Sequence, residues 1–215
     1  MSPTLIKTGF PLVLLDRSLP DIESDLVISD SVAGARRLVE HVIRIGHTRI
    51  AHFTESNDVS TGRDRLEGYR QALEAAGIAY RDELIFRTTT DRIGGYRAAQ
   101  EMFALSPLPT AIFTVNNMTA VGAMQALRER NLVVPKDIGL VCYDDVEHLA
   151  VLSPFLTVVD QPAETFGTLG AQLLFERISG KAGARCRRIV LQADLIIREP
   201  CCVNTGLPVR PEAVL

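Results

Sequence analysis

The stretch from Pro109 to Asp145 limits what this chain can fold into more than any other. It opens with Ala111, Ile112, Phe113, Thr114 and Val115, an apolar run too short for a helix and rich in β-formers, which predicts a buried strand. Asn116 and Asn117 end it. From Met118 the period changes: Met118, Val121, Met124 and Leu127 fall three apart, one stripe of a helix that Asn131 and Pro135 close. A second strand follows, Ile138 to Tyr143. A strand, helix, strand passage crosses over right-handed, so the two strands lie parallel and their carboxyl ends emerge at one edge. That edge carries Asn116, Asn117, Asp144 and Asp145. Ligands of open α/β sheets bind outside the carboxyl ends of the strands, and the unit therefore predicts a polar small-molecule crevice.

The rest of the chain repeats the alternation. Two short strands are expected at Pro11–Leu15 and Asp25–Ser29, joined by the turn residues Ser18 to Asp21. Ala35, Leu38, Val39 and Val42 make the apolar face of a helix closed by Gly46, with His47 in the turn beyond it. Arg49 to Thr54 reads as a strand. Thr61 is placed to cap a helix whose inner side is Leu66, Tyr69, Leu73 and Ala76. Arg63 lies in its first turn, where a cation opposes the helix dipole unless something else uses it. Leu84 to Phe86 predicts an edge strand, and Tyr96 to Phe103 a helix ended by Pro107 and Pro109, with Gly94 and Gly95 at its start. After a loop from Val146 to Pro154 come a strand (Thr157–Asp160), Gln161, Pro162 and a helix over Glu164–Ile178. Strands at Arg188–Leu191 and Leu195–Arg198 close the pattern. Succession of strand and helix units argues a doubly wound parallel sheet covered on both faces.

Composition excludes several classes. With 47% hydrophobic and 23% charged residues the chain is an ordinary globular sequence, and no apolar run approaches the ~20 residues of a bilayer span. A cytoplasmic address and no membrane partner are expected. Cys142, Cys186, Cys201 and Cys202 fit neither a disulfide framework nor a metal-ligand spacing, so no metal and no cofactor is expected. A net charge of −3, without a basic cluster interleaved with aromatics, makes this chain by itself a poor nucleic-acid binder.

Four segments, in order, carry a resemblance: Pro11 to Arg17 (Pro-Leu-Val-Leu-Leu-Asp-Arg); Gly46 to Ala51 (Gly-His-Thr-Arg-Ile-Ala); Thr61 to Tyr69 (Thr-Gly-Arg-Asp-Arg-Leu-Glu-Gly-Tyr); and Pro109 through Asp144 and Asp145 to Gln161 and Pro162. Together they resemble the effector-binding core of LacI/GalR-type bacterial transcription regulators, from Phe10 to Arg198. The resemblance implies a type I periplasmic-binding-protein-like α/β fold: two lobes joined by crossing strands, a ligand in the cleft, and a homodimer. By position it implies ligand contacts from Arg63, Asn116 and Asp144, with Asp30 and Gln161 beside them. Amide, guanidinium and carboxylate groups converging on one cleft supply donors and acceptors in charge-assisted form, which suits a sugar or a nucleoside- or purine-like effector. Val121 and Met124, with Val151, Leu152 and Phe155 of the following loop, are the implied dimer contacts.

The sequence also departs from the pattern. Asn117 stands where many members have Asp, and Thr88, Thr89 and Thr90 stand where several sugar binders carry an aromatic; the chain has no Trp to stack on a sugar ring. The helix-turn-helix domain and the opening β-α units of such regulators are missing from it, so operator DNA is a partner only through a domain absent here, and the chain reads as N-terminally truncated. The expected division is an N-terminal-lobe remnant at 1–28, a nearly complete C-terminal lobe at 29–158, a crossing strand and helix of the other lobe at 159–187, return strands to the C-terminal lobe at 188–200, and a mobile tail at 201–215. The remnant is expected to be exposed, rearranged or poorly ordered, and such a fragment to bind its effector weakly. A solute-binding protein of a transport system would share fold and cleft. An enzyme is disfavoured and no catalytic residue is assigned: the chain has no nucleophile elbow, no metal-binding His pair and no phosphate loop, and Asp144 and Asp145 form a converging dyad only if their strand has already ended.

Overall fold

The structure, a computed structural model, describes residues 10–145 and 156–198. The expected loop, its interface residues Val151, Leu152 and Phe155, and the tail lie outside the described residues. In chain order the elements are β1 (Val13–Leu15), β2 (Asp25–Ser29), α1 (Ser31–Arg44), β3 (Ile50–Thr54), α2 (Ser60–Ala75), β4 (Ile85–Arg87), α3 (Arg92–Met102), β5 (Ala111–Thr114), α4 (Asn117–Glu129), β6 (Gly139–Tyr143), β7 (Thr157–Asp160), α5 (Ala163–Ile178), β8 (Arg188–Leu191) and β9 (Asp194–Ile196). They form two sheets, a six-stranded one in the order β4-β3-β5-β6-β7-β9 and a three-stranded one in the order β1-β2-β8. Every pairing is parallel except β7 with β9.

The large sheet is doubly wound, and the alternation of β5 shows how. Ala111 and Phe113 enter the core against α1 and α2, with Leu38, Val42, Leu66 and Tyr69. Ile112 enters the core on the opposite face, against α3 and α4, with Met102, Ala123 and Leu127. Two glycines set the spacing on that second face. A Cβ on Gly95 of α3 would lie 2.1 Å from the Thr119 carbonyl oxygen, and one on Gly122 of α4 would lie 2.0 Å from that of Arg92, so each helix needs the other's bare backbone. Gly94 and Gly95 open α3 as expected, and Gly95 also sets its distance from α4.

Three expectations are corrected. Thr61 does not cap α2, which starts at Ser60; its hydroxyl donates to Glu55 Oε2 at 2.9 Å. The stripe read along α4 is not its buried face. Ala120, Ala123, Ala126 and Leu127 are buried, while Met118 is 46% exposed and Val121 and Met124 are half-buried. Small residues stand where α3 approaches closely; of the stripe only Leu127 stays in the core, while Met118, Val121 and Met124 lie on the flank. Finally, of the range 188–200 only β9 pairs in the large sheet, because β8 pairs with β2 in the small one.

The small sheet is covered on one face by α5. Phe166 and Leu173 pack on Val27, with Val13, Leu169, Ile189 and Leu191 around them. Phe175 and Ile178 of the same helix are 70% and 61% exposed. Yet β2, expected to be part of an exposed remnant, is buried along its whole length. Its first residue explains this. Asp25 has no exposed side-chain surface and accepts from Arg177 Nε and Nη2 of α5 at 2.8 Å each, from the Arg187 amide at 2.7 Å and from Arg187 Nη2 at 3.1 Å. These four charge-assisted bonds tie strand, helix and the approach to β8 together and hold the Asp25 carboxyl far below the usual carboxylate range.

Candidate functional site

The carboxyl ends of β3, β5 and β6 lie at one edge of the large sheet, and the chain leaves them through α2, α4 and the turn at Asp144. Asp144 follows the last residue of β6 and adopts a left-handed conformation, φ 67°, which aspartate tolerates better than most residues. Its Oδ1 accepts from Gln161 Nε2 at 2.6 Å, and its Oδ2 lies 3.7 Å from Arg65 Nη1. Gln161 in turn accepts from Ser29 Oγ at 2.5 Å through Oε1. One polar chain therefore runs from the end of β2 in the small sheet to the end of β6 in the large one.

Beside this chain lies a cleft of about 360 Å³ between the two sheets, lined by Leu15, Asp16, Asp144, Asp145, Gln161 and Phe166, among others. Burial raises the Asp144 carboxyl above its ordinary value, while Arg65 and the Gln161 hydrogen bond act in the opposite direction. Asp160, also on the cleft, is raised by burial and then by the nearby Asp145. Asp145 itself is neutralised: Arg198 donates to Oδ1 at 2.9 Å and also reaches Oδ2. Because β6 has ended at Tyr143, the two adjacent aspartates are not bound to opposite faces of a strand, but they are committed to different partners. Among the described residues no group of three or more His, Cys, Asp or Glu is placed to hold a metal ion.

The expected ligand contacts do not all meet. Asp144 and Gln161 join directly and both line the cleft. Asn116 is the N-cap of α4: its Oδ1 accepts from the Thr119 amide at 2.9 Å and hydroxyl at 2.7 Å, and its Nδ2 donates to the Thr90 carbonyl at 2.9 Å. Asp30 caps α1 in the same way, accepting from Ala33 N at 3.0 Å. Arg63 is 58% exposed, with Asp64 at 3.8 Å as its ion-pair partner. The guanidinium that meets the carboxylate belongs to Arg65. Two positions along a helix turn a side chain by about 200°, so when one of these arginines faces solvent the other faces the core. A signal for Arg65 lies in the sequence, since it stands four residues before Tyr69 and so on the inner stripe of α2.

Arg65 is 2% exposed. Its Nη1 donates to the Val115 carbonyl at 2.5 Å, and its guanidinium sits 3.8 Å over the Tyr143 ring centroid. A second contact joins the two sheets' units. Arg17, just beyond β1, reaches the buried Glu55 after β3 at 3.2 Å, and Ser18 N donates to Ser60 Oγ at 3.0 Å.

Comparisons with known proteins agree with this architecture. Residues 39–201 match the family described as periplasmic binding protein-like domain. The ribose operon repressor of Escherichia coli (strain K12) is 37% identical over 169 residues, which are 79% of this chain and 51% of that repressor. A crystal structure of a LacI-family regulatory protein from Chloroflexus aggregans superposes with a TM-score of 0.80 at 36% identity, over 91% of this chain and 70% of that one. A transcriptional regulator CelR–cellobiose complex gives 0.84 at 34% identity, over 91% and 60%. The chain spans just over half the length of the curated relatives it matches.

Proposed function

This chain belongs to the periplasmic binding protein-like family, and from that premise we propose that it is the effector-binding core of a LacI-type transcription regulator. The observation that carries the reading is the polar chain Ser29–Gln161–Asp144–Arg65 at the edge of the inter-sheet cleft. A ligand hydroxyl or amine donating to Asp144 competes with Gln161, and Gln161 is what holds the small sheet to the large one at that point. Binding at this carboxylate is therefore coupled to the relative placement of the two units, which is the differential affinity a ligand-driven switch requires. In the full regulator such a shift reorients a helix-turn-helix domain on operator DNA.

The ligand is a small polar molecule, a sugar or a nucleoside- or purine-like compound. The similar proteins named for ribose and cellobiose favour the sugar. Asp144 and Gln161 are its acceptors and donors on the cleft. Arg63 is the exposed guanidinium on the rim, able to turn onto a bound ligand because its pairing with Asp64 is long. Asn116 keeps one amide hydrogen beyond its capping duty, and Asp30 its second carboxylate oxygen. The chemistry is binding and not turnover, and the commitment of Asp144 and Asp145 to separate partners supports this. A homodimer forms across the half-buried apolar groove of about 530 Å³ where Val121 and Met124 meet Leu132, Val133 and Val134. Solute capture for transport would use the same cleft but needs no dimer.

Thermal unfolding of the chain in the presence of ribose, cellobiose, adenosine and hypoxanthine tests the proposal. At least one of these compounds is expected to raise the midpoint in a saturable, concentration-dependent way. No shift with any of them would contradict it.

A further inference from the structure

We infer that Arg17 and Glu55 form an ionic latch between the small-sheet and large-sheet units, one that fixes how the two stand to each other before any ligand arrives. The latch lies outside the effector reading, since it acts in the ligand-free chain. Its first half is the seat of Glu55. This residue follows β3 in the large-sheet unit, and its side chain is only 5% exposed. A Cβ on Gly62 would lie 2.7 Å from the Glu55 Cβ, so the first turn of α2 leaves room for the side chain by carrying a glycine there. The Thr61 hydroxyl donates to Oε2 at 2.9 Å. Since α2 has no acidic residue in its first turn and no side-chain cap, the Glu55 carboxylate beside it meets the positive end of the helix in their place.

A buried carboxylate also calls for a cation. Among the described residues the only one within ion-pair distance of the Glu55 side chain is Arg17, whose Nη2 stands 3.2 Å from Oε1. Arg87 comes near as well, but it donates to the Glu55 backbone carbonyl and to Asn57. Arg17 belongs to the other unit: it lies just beyond β1, and β1 and β3 are in different sheets. The charge buried on one unit is therefore matched from the other. Ser18 repeats the connection through the backbone, its amide donating to Ser60 Oγ at 3.0 Å. Arg17 Nε also stands 3.4 Å from Asp16 Oδ2, and Asp16 lines the cleft, so the arginine that fastens the units rests against a cleft carboxylate. Removing Arg17 alone leaves Glu55 buried without its partner, a cost relieved when the units part and water reaches the carboxylate. Removing both charges leaves no such cost.

The test is amide hydrogen exchange of the ligand-free chain followed by NMR, each rate taken against that of an unstructured peptide of the same local sequence. The Ser18 amide is bonded across the two units and reports the latch, whereas the Asp16 amide is bonded to the Val27 carbonyl within the small sheet and serves as the control. In Arg17→Met the protection of Ser18 is expected to fall at least about threefold while that of Asp16 holds, and in Arg17→Met with Glu55→Gln to return toward the parent value. Unchanged protection of Ser18 in Arg17→Met overturns the latch: Glu55 then serves α2 alone. A double variant less protected at Ser18 than Arg17→Met overturns it as well. Should either variant fail to fold, the parent decides by itself: sodium chloride at about 1 M screens a pair whose Arg17 end is half-exposed, and is expected to lower the protection of Ser18 and not that of Asp16. No effect of salt at Ser18 overturns the latch equally. No ligand enters these measurements, so the latch and the effector reading stand or fall separately.

Discussion

Gln161 holds Asp144 with one end of its amide and Ser29 with the other, at 2.6 and 2.5 Å. No apolar side chain can replace an amide in that position. In Gln161→Leu the half-buried Asp144 Oδ1 loses its donor and the buried Ser29 hydroxyl its 2.5 Å acceptor. The cost is expected to be about 1–3 kcal/mol in urea unfolding, with Arg65 still paired to Asp144. A variant as stable as the parent would show that the amide does not join the two sheets.

A second prediction concerns Asp25, the carboxylate that binds α5 and the approach to β8 onto β2. Asp25→Asn cannot match the paired Arg177 donors and is expected to lose about 3 kcal/mol of stability. The pH dependence follows from the sign of its shift. Its folded value is depressed, so its contribution is complete above the ordinary aspartate value near 3.9 and is lost as pH falls below it. The loss on acidification measured between pH 5 and 3 should be smaller in Asp25→Asn than in the parent; parallel curves would contradict the clamp.

His52 gives a third. It lies fully buried in β3, stacked on Phe113 and Tyr69 at centroid distances of 4.3 and 5.3 Å. Burial drives its value down to about 3, against the hydrogen bond to the Phe113 carbonyl. The unfolded chain therefore binds a proton there between about pH 6.5 and 3 that the folded chain refuses, and stability falls with pH in that window. From pH 7 to 5 the histidine alone is expected to cost about 2 kcal/mol, a loss that His52→Phe should remove. Equal pH sensitivity in parent and variant would place the proton uptake elsewhere.

The fourth bears on assembly. Val121 and Met124 are half-buried on the flank of α4, and of the two only Met124 packs against the edge of the core. The parent is expected to sediment as a dimer at micromolar concentration, and Val121→Glu with Met124→Glu as a monomer. A monomeric parent, or a dimer that survives both changes, would move or remove the interface.

How much of this was legible in the sequence depends on the length scale of each feature. Element type and order follow from short-range patterns, and Ala111–Thr114, Asn117–Glu129 and Gly139–Tyr143 stand within a residue or two of their expected positions. The place of Asp144 at the carboxyl end of a strand is a local pattern, whereas Gln161 is singled out by the family resemblance alone; their hydrogen bond to each other is visible only in the structure. Arg63 is the arginine that the resemblance and the first turn of α2 point to; rotation about the helix, which turns Arg65 inward, shows only when the whole inner stripe is read. Asp25 looked like an ordinary strand start, since its partners Arg177 and Arg187 are about 150 and 160 residues away in the chain and no local pattern announces them. Gly95 and Gly122 have the same character: their reason is each other's helix.

The central claim is that the Asp144 carboxylate receives the effector. Calorimetric titration of the parent and of Asp144→Asn with whichever compound stabilises the chain tests it most directly. Binding by the parent and a loss of at least about tenfold in affinity in the variant is the predicted result, because a charge-assisted acceptor is replaced by a neutral amide of the same shape. Equal affinity in the two proteins would contradict the claim and put the ligand somewhere other than this cleft.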